Sequence, residues 1–469
     1  MKIAFLHYHL KTGGVTTVLQ QQIKAVSPAC EVMLLTGEMP ESTGRIETRT
    51  IPGIGYDIPG DTLHDPGQVA DAAVNAIFNY WPDGCDILHV HNPTLAKNRN
   101  FLKILKALQS RGITLFLQIH DFAEDGRPQN YFHDEEYPVD CHYGVINSRD
   151  YNILLKCGLK PHGLHRVFNT ITPLPRKDKK AVADYVLYPV RAIRRKNIGE
   201  ALFLSLFLAH GESLRITLPP NSPMDWKSYS DWKRFVKTHR LAVEFEAGLN
   251  NDFSDLVCNA GSLITTSITE GFGFTFLEPW TADKMLWGRK LPDICHDFEK
   301  TGINLNHLYS SIRIPLEWID SKAFSRRWET VFRTVCRDFG LHPCDIDIQK
   351  ALSAILYGDK IDLGLLDEKF QRQVLSRIIK DKPARRELIG INPFLAEPGY
   401  VKNPNKLISK NRAAVLDTYN EAEYTNNLLG AYQKIIEKPV TQRIDRQHLL
   451  RSFLRPNQFS LLKWSPYAG

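Results

Sequence analysis

The feature that most constrains the fold is an alternation of short apolar runs with segments of helical period, which extends over residues 1–172. Between the apolar runs, polar segments carry an apolar residue every three or four positions, as one face of a helix requires. Such alternation is typical of βαβ crossover units, whose strands pair in parallel. We therefore predict a doubly wound parallel sheet built from the runs "KIAFLHY", "EVMLL", "DILHVH", "ITLFLQIH", "YGVINS" and "HRVFN".

The same alternation begins again after a connector, residues 173–184, that is rich in Pro and Lys and has no apolar periodicity. A second set of apolar runs predicts a second Rossmann-like domain over residues 185–400. Residues 316–381 are predicted as a helical insertion in this domain, and residues 401–469 as a C-terminal helical region. The predicted fold class is α/β, with two doubly wound domains that face a cleft.

The composition disfavours several classes of protein. The net charge of +7, from 59 basic and 52 acidic residues, is small for 469 residues and is spread along the chain, so we expect no nucleic-acid partner. The eight cysteines form no Cys-x-x-Cys pair, which disfavours a zinc ribbon or a disulfide framework. The N-terminus has no leader pattern and the most apolar run, "ALFLSLFLAH", is too short to span a bilayer. We expect a soluble, cytoplasmic protein without a stable membrane anchor.

Two glutamates, Glu270 and Glu278, bracket a glycine turn in "SITEGFGFTFLEPW", which follows a predicted strand. Ligands of open parallel sheets gather at the carboxyl ends of strands. Gly271 and Gly273 allow close approach of backbone N–H groups to a ligand, and the helix predicted from about Phe274 favours phosphate. The carboxylates would accept hydrogen bonds from sugar hydroxyls. The alternative is that Glu278 is an exposed helical residue and Glu270 an N-terminal partner of the helix dipole.

A basic loop follows the predicted strand "YVLYPV" and contains Arg191 and Lys196. One guanidinium and one ammonium group can clamp a diphosphate and stabilise the charge that builds when it departs. The alternative is a solvated basic surface, for which Arg194 and Arg195 are the better candidates.

The first predicted strand is followed by Gly13 and Gly14 in "KTGGVTTV", at the predicted start of a helix. The spacing is not G-x-G-x-x-G, and no acidic residue ends the second strand, so a dinucleotide-binding domain is disfavoured. The pair makes room for a diphosphate or an acceptor, or it forms a simple tight turn.

His120 and Asp121 end the strand "ITLFLQIH" and open a long polar loop that contains Arg127. A single histidine at a strand end is usually structural, and this one lacks ligand partners for a metal. Long loops without regular structure are often functional. Arg127, together with Lys97 and Arg99, suggests a binding site for a small anionic molecule, which would be the acceptor if the chain transfers a group.

Taken together, these motifs resemble those of the retaining GT-B glycosyltransferases of family 4. "EGFGFTFLE" matches the family's E-x7-E motif, "KTGGVTTV" its N-terminal glycine loop, and Arg191 with Lys196 its G-R-x4-K pair, although Val190 replaces the glycine. "RVFNTI" is similar to an asparagine-containing segment of the family. The resemblance extends over about residues 1–290, with the motifs in the family's order.

The resemblance implies an N-terminal acceptor domain, a C-terminal donor domain and a role for each matched residue. Glu270, Arg191, Lys196 and His120 would be catalytic, with Glu270 and His120 at the donor sugar and the basic pair at the diphosphate. Glu278 would hold the ribose, and other donor contacts would come from Gly271, Phe272, Gly273, Gly14 and Asn250. The acceptor would contact Gly13, Arg127 and Asp121. The family needs no metal or other cofactor, and the leaving phosphate is thought to assist attack by the acceptor hydroxyl.

The expected function is therefore transfer of a hexosyl group, glucose or mannose, from a nucleoside diphosphate sugar to a small soluble acceptor. Two alternatives stay open: a GT-B epimerase or phosphorylase, and a non-catalytic protein that binds nucleotide sugars. Pro279 and Trp280 depart from the family pattern, and a proline inside a helix would kink it unless it lies in the first turn. The donor base, the linkage and the oligomeric state cannot be predicted from these residues.

Overall fold

A computed structural model describes residues 1–11, 13–39, 46–58, 60, 62–174 and 184–467. The chain divides into two compact units. The first comprises Met1–Thr170 and Tyr419–Leu454, and the second comprises Ile171–Thr418 and Arg455–Gly469. Most of the predicted connector, residues 173–184, lies outside the described residues.

The first unit is built on a parallel sheet with strand order β3-β2-β1-β4-β5-β6-β7. Six of its strands coincide with predicted runs, and the polar edge strand β3 was not predicted. The strands are β1 Lys2–His7, β2 Glu31–Thr36, β3 Glu47–Thr50, β4 Ile87–His91, β5 Leu115–Ile119, β6 His142–Val145 and β7 Leu164–Arg166.

Helices connect these strands, and the sheet is covered on both faces. The helices are α1 Gly14–Val26, α2 Pro66–Tyr80, α3 Phe101–Ser110 and α4 Ser148–Lys156. Successive side chains of a strand point to opposite faces, so Ala4 and Leu6 of β1 lie in one apolar cluster while Ile3 and Phe5 lie in another. Burial on both faces explains why the central strands read as nearly continuous apolar runs.

The second unit contains a smaller parallel sheet of order β10-β9-β8-β11-β12. Its strands are β8 Tyr185–Arg191, β9 Ser213–Leu218, β10 Val243–Glu244, β11 Ser262–Thr265 and β12 Leu286–Gly288. Its helices are α5 Ile198–Ser205, α6 Pro223–His239, α7 Phe253–Asn259, α8 Glu278–Thr281 and α9 Pro292–Lys300. Strand order in both sheets reverses at the first strand, as in Rossmann folds. Two doubly wound α/β units were predicted, and this fold class is confirmed.

The segment predicted as a helical insertion also contains strands. An antiparallel sheet of order β13-β15-β14 accompanies the helices, because its strands of two or three residues are too short to leave a period in the sequence. The elements within residues 316–381 are α10 Ser321–Asp338, α11 Asp345–Ser353, β14 Leu356–Tyr357, β15 Lys360–Asp362 and α12 Glu368–Lys380. Strand β13 Arg313–Pro315 precedes this segment, α13 Lys382–Ile391 follows it, and α14 Pro404–Thr418 lies in the predicted C-terminal region.

The C-terminal helical region is divided between the two units. Helices α15 Glu421–Glu437 and α16 Arg446–Phe453 belong to the first unit, and α17 Leu461–Trp464 belongs to the second. Helix α15 packs beside α1, where the Tyr432 hydroxyl lies 2.8 Å from Nδ1 of His89. No helix in the described part of the chain combines the length and the apolar character needed to cross a bilayer.

Candidate functional site

The candidate donor site lies in the second unit, at the carboxyl ends of β8 and β11. These strands are neighbours, and strand order reverses at β8, which is where open α/β sheets bind ligands. The basic loop follows β8, and the loop with the glycine turn follows β11. Topology thus brings together two motifs that are about 75 residues apart in sequence.

Hydrogen bonds fasten the two loops to each other. The Tyr188 hydroxyl donates to the carbonyl oxygen of Lys196 at 2.7 Å, and the Thr266 hydroxyl donates to the same oxygen at 3.0 Å. The backbone N–H of Ile268 donates to the carbonyl oxygen of Arg195 at 3.0 Å. The basic loop therefore has a fixed backbone before any ligand is bound, which lowers the entropic cost of binding.

Lys196 and Glu270 form a largely buried ion pair, with side chains that are 13% and 10% exposed. Burial acts to raise the pKa of the Glu270 carboxyl, but the charges of Lys196 and Arg195 and hydrogen bonds from Lys196 and Ser267 outweigh it and lower the pKa. Glu270 is therefore ionised at neutral pH. Lys196 has three N–H donors and can keep this partner while it also meets an anion.

Glu278 is the first residue of α8 and is half-buried. Burial raises the pKa of its carboxyl to about 7, and the charge of Lys196 offsets this only in part. Within the described residues, no hydrogen bond reaches the carboxylate. Glu278 is thus a partly desolvated acid with free acceptor positions, as a site for vicinal hydroxyls requires.

The helix after the glycine turn differs from the prediction. Phe274–Phe276 form a single 3-10 turn, and α8 begins only at Glu278 and has four residues. Pro279 consequently lies in the first turn, where no helical hydrogen bond needs its missing N–H. Trp280 is fully buried, and its indole N–H donates to the carbonyl oxygen of Phe276 at 2.8 Å. So short a helix adds little dipole, so phosphate affinity must come from basic side chains and backbone N–H groups.

The glycine turn has a specific backbone requirement at one position. Gly273 has φ +94°, and a Cβ there would lie 2.9 Å from the ring of Phe276. Phe272 is buried against Phe274 and Phe298, whereas Gly271 is half-buried. The turn is therefore held by packing of its aromatic residues, with the glycine backbone between them.

Two arginines of the basic loop have different environments. Arg191, at the end of β8, is exposed and has no acidic partner among the described residues. Arg194 instead forms a bidentate pair with Glu368, at 2.6 and 2.9 Å. Arg191 is available to an anion. Arg194 was the candidate for a solvated basic surface, and this expectation is wrong, because its side chain is only 12% exposed and pairs with a buried carboxylate.

Asn250 lies on the loop that follows β10 and is exposed. The N–H of Gly248 donates to the carbonyl oxygen of Thr217 at 2.9 Å, and the Asn251 amide donates to that of Ala247 at 2.8 Å. These bonds hold the loop at the same end of the sheet as the other candidate donor residues.

A separate group of polar residues lies in the first unit, at the carboxyl ends of β1, β4 and β5. Nε2 of His120 is 2.9 Å from Nδ1 of His91, and burial lowers the pKa of His120 to about 4, so its ring is neutral at pH 7. Asn92, with φ +58°, accepts through Oδ1 from the backbone N–H groups of His120 and Asp121, at 3.3 and 2.9 Å. His91 ends the run "DILHVH", and a second histidine at the end of a neighbouring strand was the signal in the sequence for this contact.

Gly13 and Gly14 do not form a tight turn. Gly13 is extended, with φ −179°, and α1 begins at Gly14 without a side-chain cap. A Cβ at Gly14 would meet no atom within 4 Å. The backbone does not require glycine at either position, so the open space at this helix start is the feature that distinguishes the pair.

Asp121 and Arg127 contact each other on the loop after β5. Nη2 of Arg127 lies 2.6 Å from Oδ1 of Asp121, and Nη1 donates to the carbonyl oxygen of Phe122 at 3.2 Å.

Among the residues that the structure describes, no cluster of three or more His, Cys, Asp or Glu side chains is arranged to hold a metal ion.

Comparison with known proteins gives one curated relative and many similar structures. No family model matches the chain. Mannosylglucosyl-3-phosphoglycerate synthase of Petrotoga mobilis is 27% identical over 333 residues, which cover 62% of this chain and 65% of that protein. The chain thus spans just under two thirds of that relative's length.

Three solved structures illustrate the likeness in fold. Sucrose-phosphate synthase from Thermosynechococcus elongatus has a TM-score of 0.54 and 13% identity, with 92% of this chain and 98% of that chain covered. Anabaena HepE with UDP-glucose has a TM-score of 0.54 and 11% identity at the same coverage. A Rickettsia africae glycosyltransferase has a TM-score of 0.54 and 11% identity, with 93% and 99% covered. The chain has the GT-B fold.

Proposed function

We propose that this chain is a retaining glycosyltransferase of the family 4 type, which moves a glucosyl or mannosyl group from a nucleoside diphosphate sugar to a small anionic acceptor. The observation that carries the proposal is the contact of Lys196 with Glu270 at the carboxyl ends of β8 and β11. Arg191, at the end of β8, is exposed and has no acidic partner in the described part of the chain. This arrangement combines positive charge for a diphosphate with carboxylates for sugar hydroxyls.

Each donor residue has a role that its surroundings support. Arg191 and Lys196 bind the diphosphate, and the ionised Glu270 accepts from hydroxyls of the sugar. Glu278 accepts from the ribose hydroxyls. The backbone of Gly271, Phe272 and Gly273 approaches the sugar, and Asn250 lies near the base.

Charge stabilisation at the leaving group is the main catalytic effect in this proposal. The bond from the anomeric carbon to the diphosphate breaks with its electron pair on the phosphate oxygen, where Arg191 and Lys196 neutralise the growing charge. The acceptor hydroxyl attacks from the same face and passes its proton to that oxygen, so the configuration is retained. Glu270 is tied to Lys196 and ionised, so it positions the sugar and does not serve as the acid. In the first unit, His120 is neutral and lies 2.9 Å from His91, so its ring can form a hydrogen bond with a sugar hydroxyl.

The proposed acceptor is a small molecule with a carboxylate or phosphate group. Gly13, Asp121 and Arg127 contribute to its site, with the Arg127 guanidinium as the cation. The name of the Petrotoga mobilis relative describes synthesis of a phosphoglycerate that carries mannosyl and glucosyl groups, so the product that it names is a glycoside of a small anionic molecule. That likeness supports the proposal for the acceptor class.

A transfer assay with several donors tests the proposal. The purified chain is incubated with UDP-, GDP- and ADP-linked glucose and mannose and with 3-phosphoglycerate or its glucoside, and NMR follows nucleoside diphosphate release and the anomeric coupling of the product. We expect transfer with retained configuration, and large losses in Lys196→Ala and Glu278→Ala. Arg333→Ala is the control, because Arg333 forms an exposed pair with Asp345 in the same unit. Unchanged transfer in both site variants, or no transfer from any nucleotide sugar, would refute the proposal, and an inverted product would refute retention.

A further inference from the structure

Three cations of the first unit, Lys97, Arg99 and Arg127, belong to the loops that follow β4 and β5. The three side chains differ in their acidic partners. Arg99 donates to Oδ2 of Asp57 from its backbone N–H at 2.9 Å and from Nε at 3.2 Å. Arg127 is paired with Asp121 at 2.6 Å. Lys97 has no carboxylate partner among the residues that the structure describes.

Lys97 is a half-buried cation whose charge no carboxylate of the described residues balances. Its ammonium lies 5.7 Å from the centre of the Tyr56 ring, and the face of that ring attracts it. Burial lowers the pKa of Lys97, and the positive charge of Arg127 lowers it further. A partly desolvated cation next to a second cation is unfavourable until an anion arrives.

The position of Lys97 is fixed by its backbone. Its N–H donates to the carbonyl oxygen of Leu95 at 2.8 Å, and its own carbonyl accepts from the N–H of Asp57 at 2.8 Å. The Tyr56 ring contacts the rings of Tyr8 and His9, with centroids 5.1 and 4.9 Å apart. The ammonium is thus held near the carboxyl end of β1, where the strand order of the first sheet reverses.

We propose that Lys97, over Tyr56 and beside Arg127, forms the subsite that binds the anionic group of the acceptor, a carboxylate or a phosphate. This inference rests on the proposed function and makes it more specific. Lys97 supplies the unbalanced charge, and Arg127 shares its planar fork between Asp121 and the ligand. Arg99 is left outside the subsite, because its side chain is 71% exposed, whereas that of Arg127 is 26% exposed.

Binding of three-carbon probes without donor tests the subsite independently of turnover. Calorimetric titration with glycerol 3-phosphate, glycerate and glycerol separates a phosphate, a carboxylate and a neutral ligand of one skeleton. We expect at least one anionic probe to bind, with affinity that falls as salt rises, and glycerol not to bind. Lys97→Met keeps the alkyl stem over the ring, and we expect it to lower the affinity for the anionic probe by about 10- to 100-fold.

Two further variants make the result decisive. Lys97→Arg keeps the charge and should retain most of the affinity, which also guards against a Met variant that folds poorly. Lys103→Met removes a lysine that already pairs with Glu135, at 3.5 Å, and should bind as the wild type does. Equal anion affinity in wild type and folded Lys97→Met, or no binding of either anion to the wild type, would overturn the subsite. Transfer activity that is independent of Lys97 would overturn it and leave the proposed function standing.

Discussion

Replacement of Glu278 by Gln removes an ionisable group whose folded environment disfavours its charge. Burial raises the pKa of the Glu278 carboxyl to about 7 from an ordinary value of 4.5. Because the pKa is higher in the folded state, the unfolded chain loses this proton first as pH rises. The wild type therefore loses stability between about pH 4.5 and pH 7, has no penalty below that range and the full penalty above it.

The size of the effect follows from the two pKa values. A difference of about 2.5 pH units corresponds to about 3 kcal/mol at 1.36 kcal/mol per unit. Solvent that reaches the half-buried carboxylate reduces this penalty. Between pH 4.5 and pH 8, the unfolding free energy of Glu278→Gln should therefore rise relative to that of the wild type by up to about 3 kcal/mol.

Urea unfolding followed by tryptophan fluorescence measures this difference, because seven of the eight tryptophans belong to the second unit. Titrations of wild type and Glu278→Gln at intervals from pH 4.5 to 8 give the difference in unfolding free energy. Glu317→Gln, at an exposed position of the same unit, is the control and should follow the wild type at every pH. A difference between Glu278→Gln and wild type that stays constant over this range would refute the assignment of a raised pKa to Glu278.

Three further outcomes follow from the same geometry. Donor affinity should rise as pH passes through about 7, with proton release on binding in calorimetry, because ribose hydroxyls donate to the ionised Glu278; an affinity independent of pH would contradict this. Lys196→Met and Glu270→Gln should each lower the unfolding free energy by about 3–5 kcal/mol, since each leaves a buried charge unpaired, and the double variant should lose less than the sum in a double-mutant cycle. Gly273→Ala should lower the melting midpoint, because a residue with a side chain pays about 1–2 kcal/mol at a φ of +94°. Gly14→Ala should have the melting midpoint of the wild type and instead weaken substrate binding. Equal midpoints for the two variants would contradict the turn geometry.

The sequence predicts the sheets where strands are buried on both faces. β4 and β5 are buried along their whole length and read as apolar runs. β3, "ETRT", has no buried residue and therefore no apolar signal, while β12 has only three residues. Amphipathic periodicity marks α15 as a helix, but it cannot show which sheet this helix covers.

The candidate site is predictable only in part for a similar reason. Topology places loops at a common edge of a sheet, so Arg191, Lys196 and the glycine turn were expected together. The ion pair of Lys196 with Glu270, and that of Arg194 with Glu368, join residues 74 and 174 positions apart. Such contacts depend on tertiary packing. The four-residue length of α8 was also hidden, because Pro279 is compatible with a helix that starts before it or at it.

Binding of a nucleotide sugar is the central claim, and thermal unfolding with UDP-, GDP- and ADP-sugars tests it most directly. A donor that binds only the folded state stabilises it by about 2.7 kcal/mol at a concentration 100 times its dissociation constant. We predict that one nucleotide series raises the melting midpoint of the wild type and of Arg333→Ala, and that the increase is lost in Lys196→Ala. A midpoint that no nucleotide sugar raises, or one that rises equally in Lys196→Ala, would contradict the account.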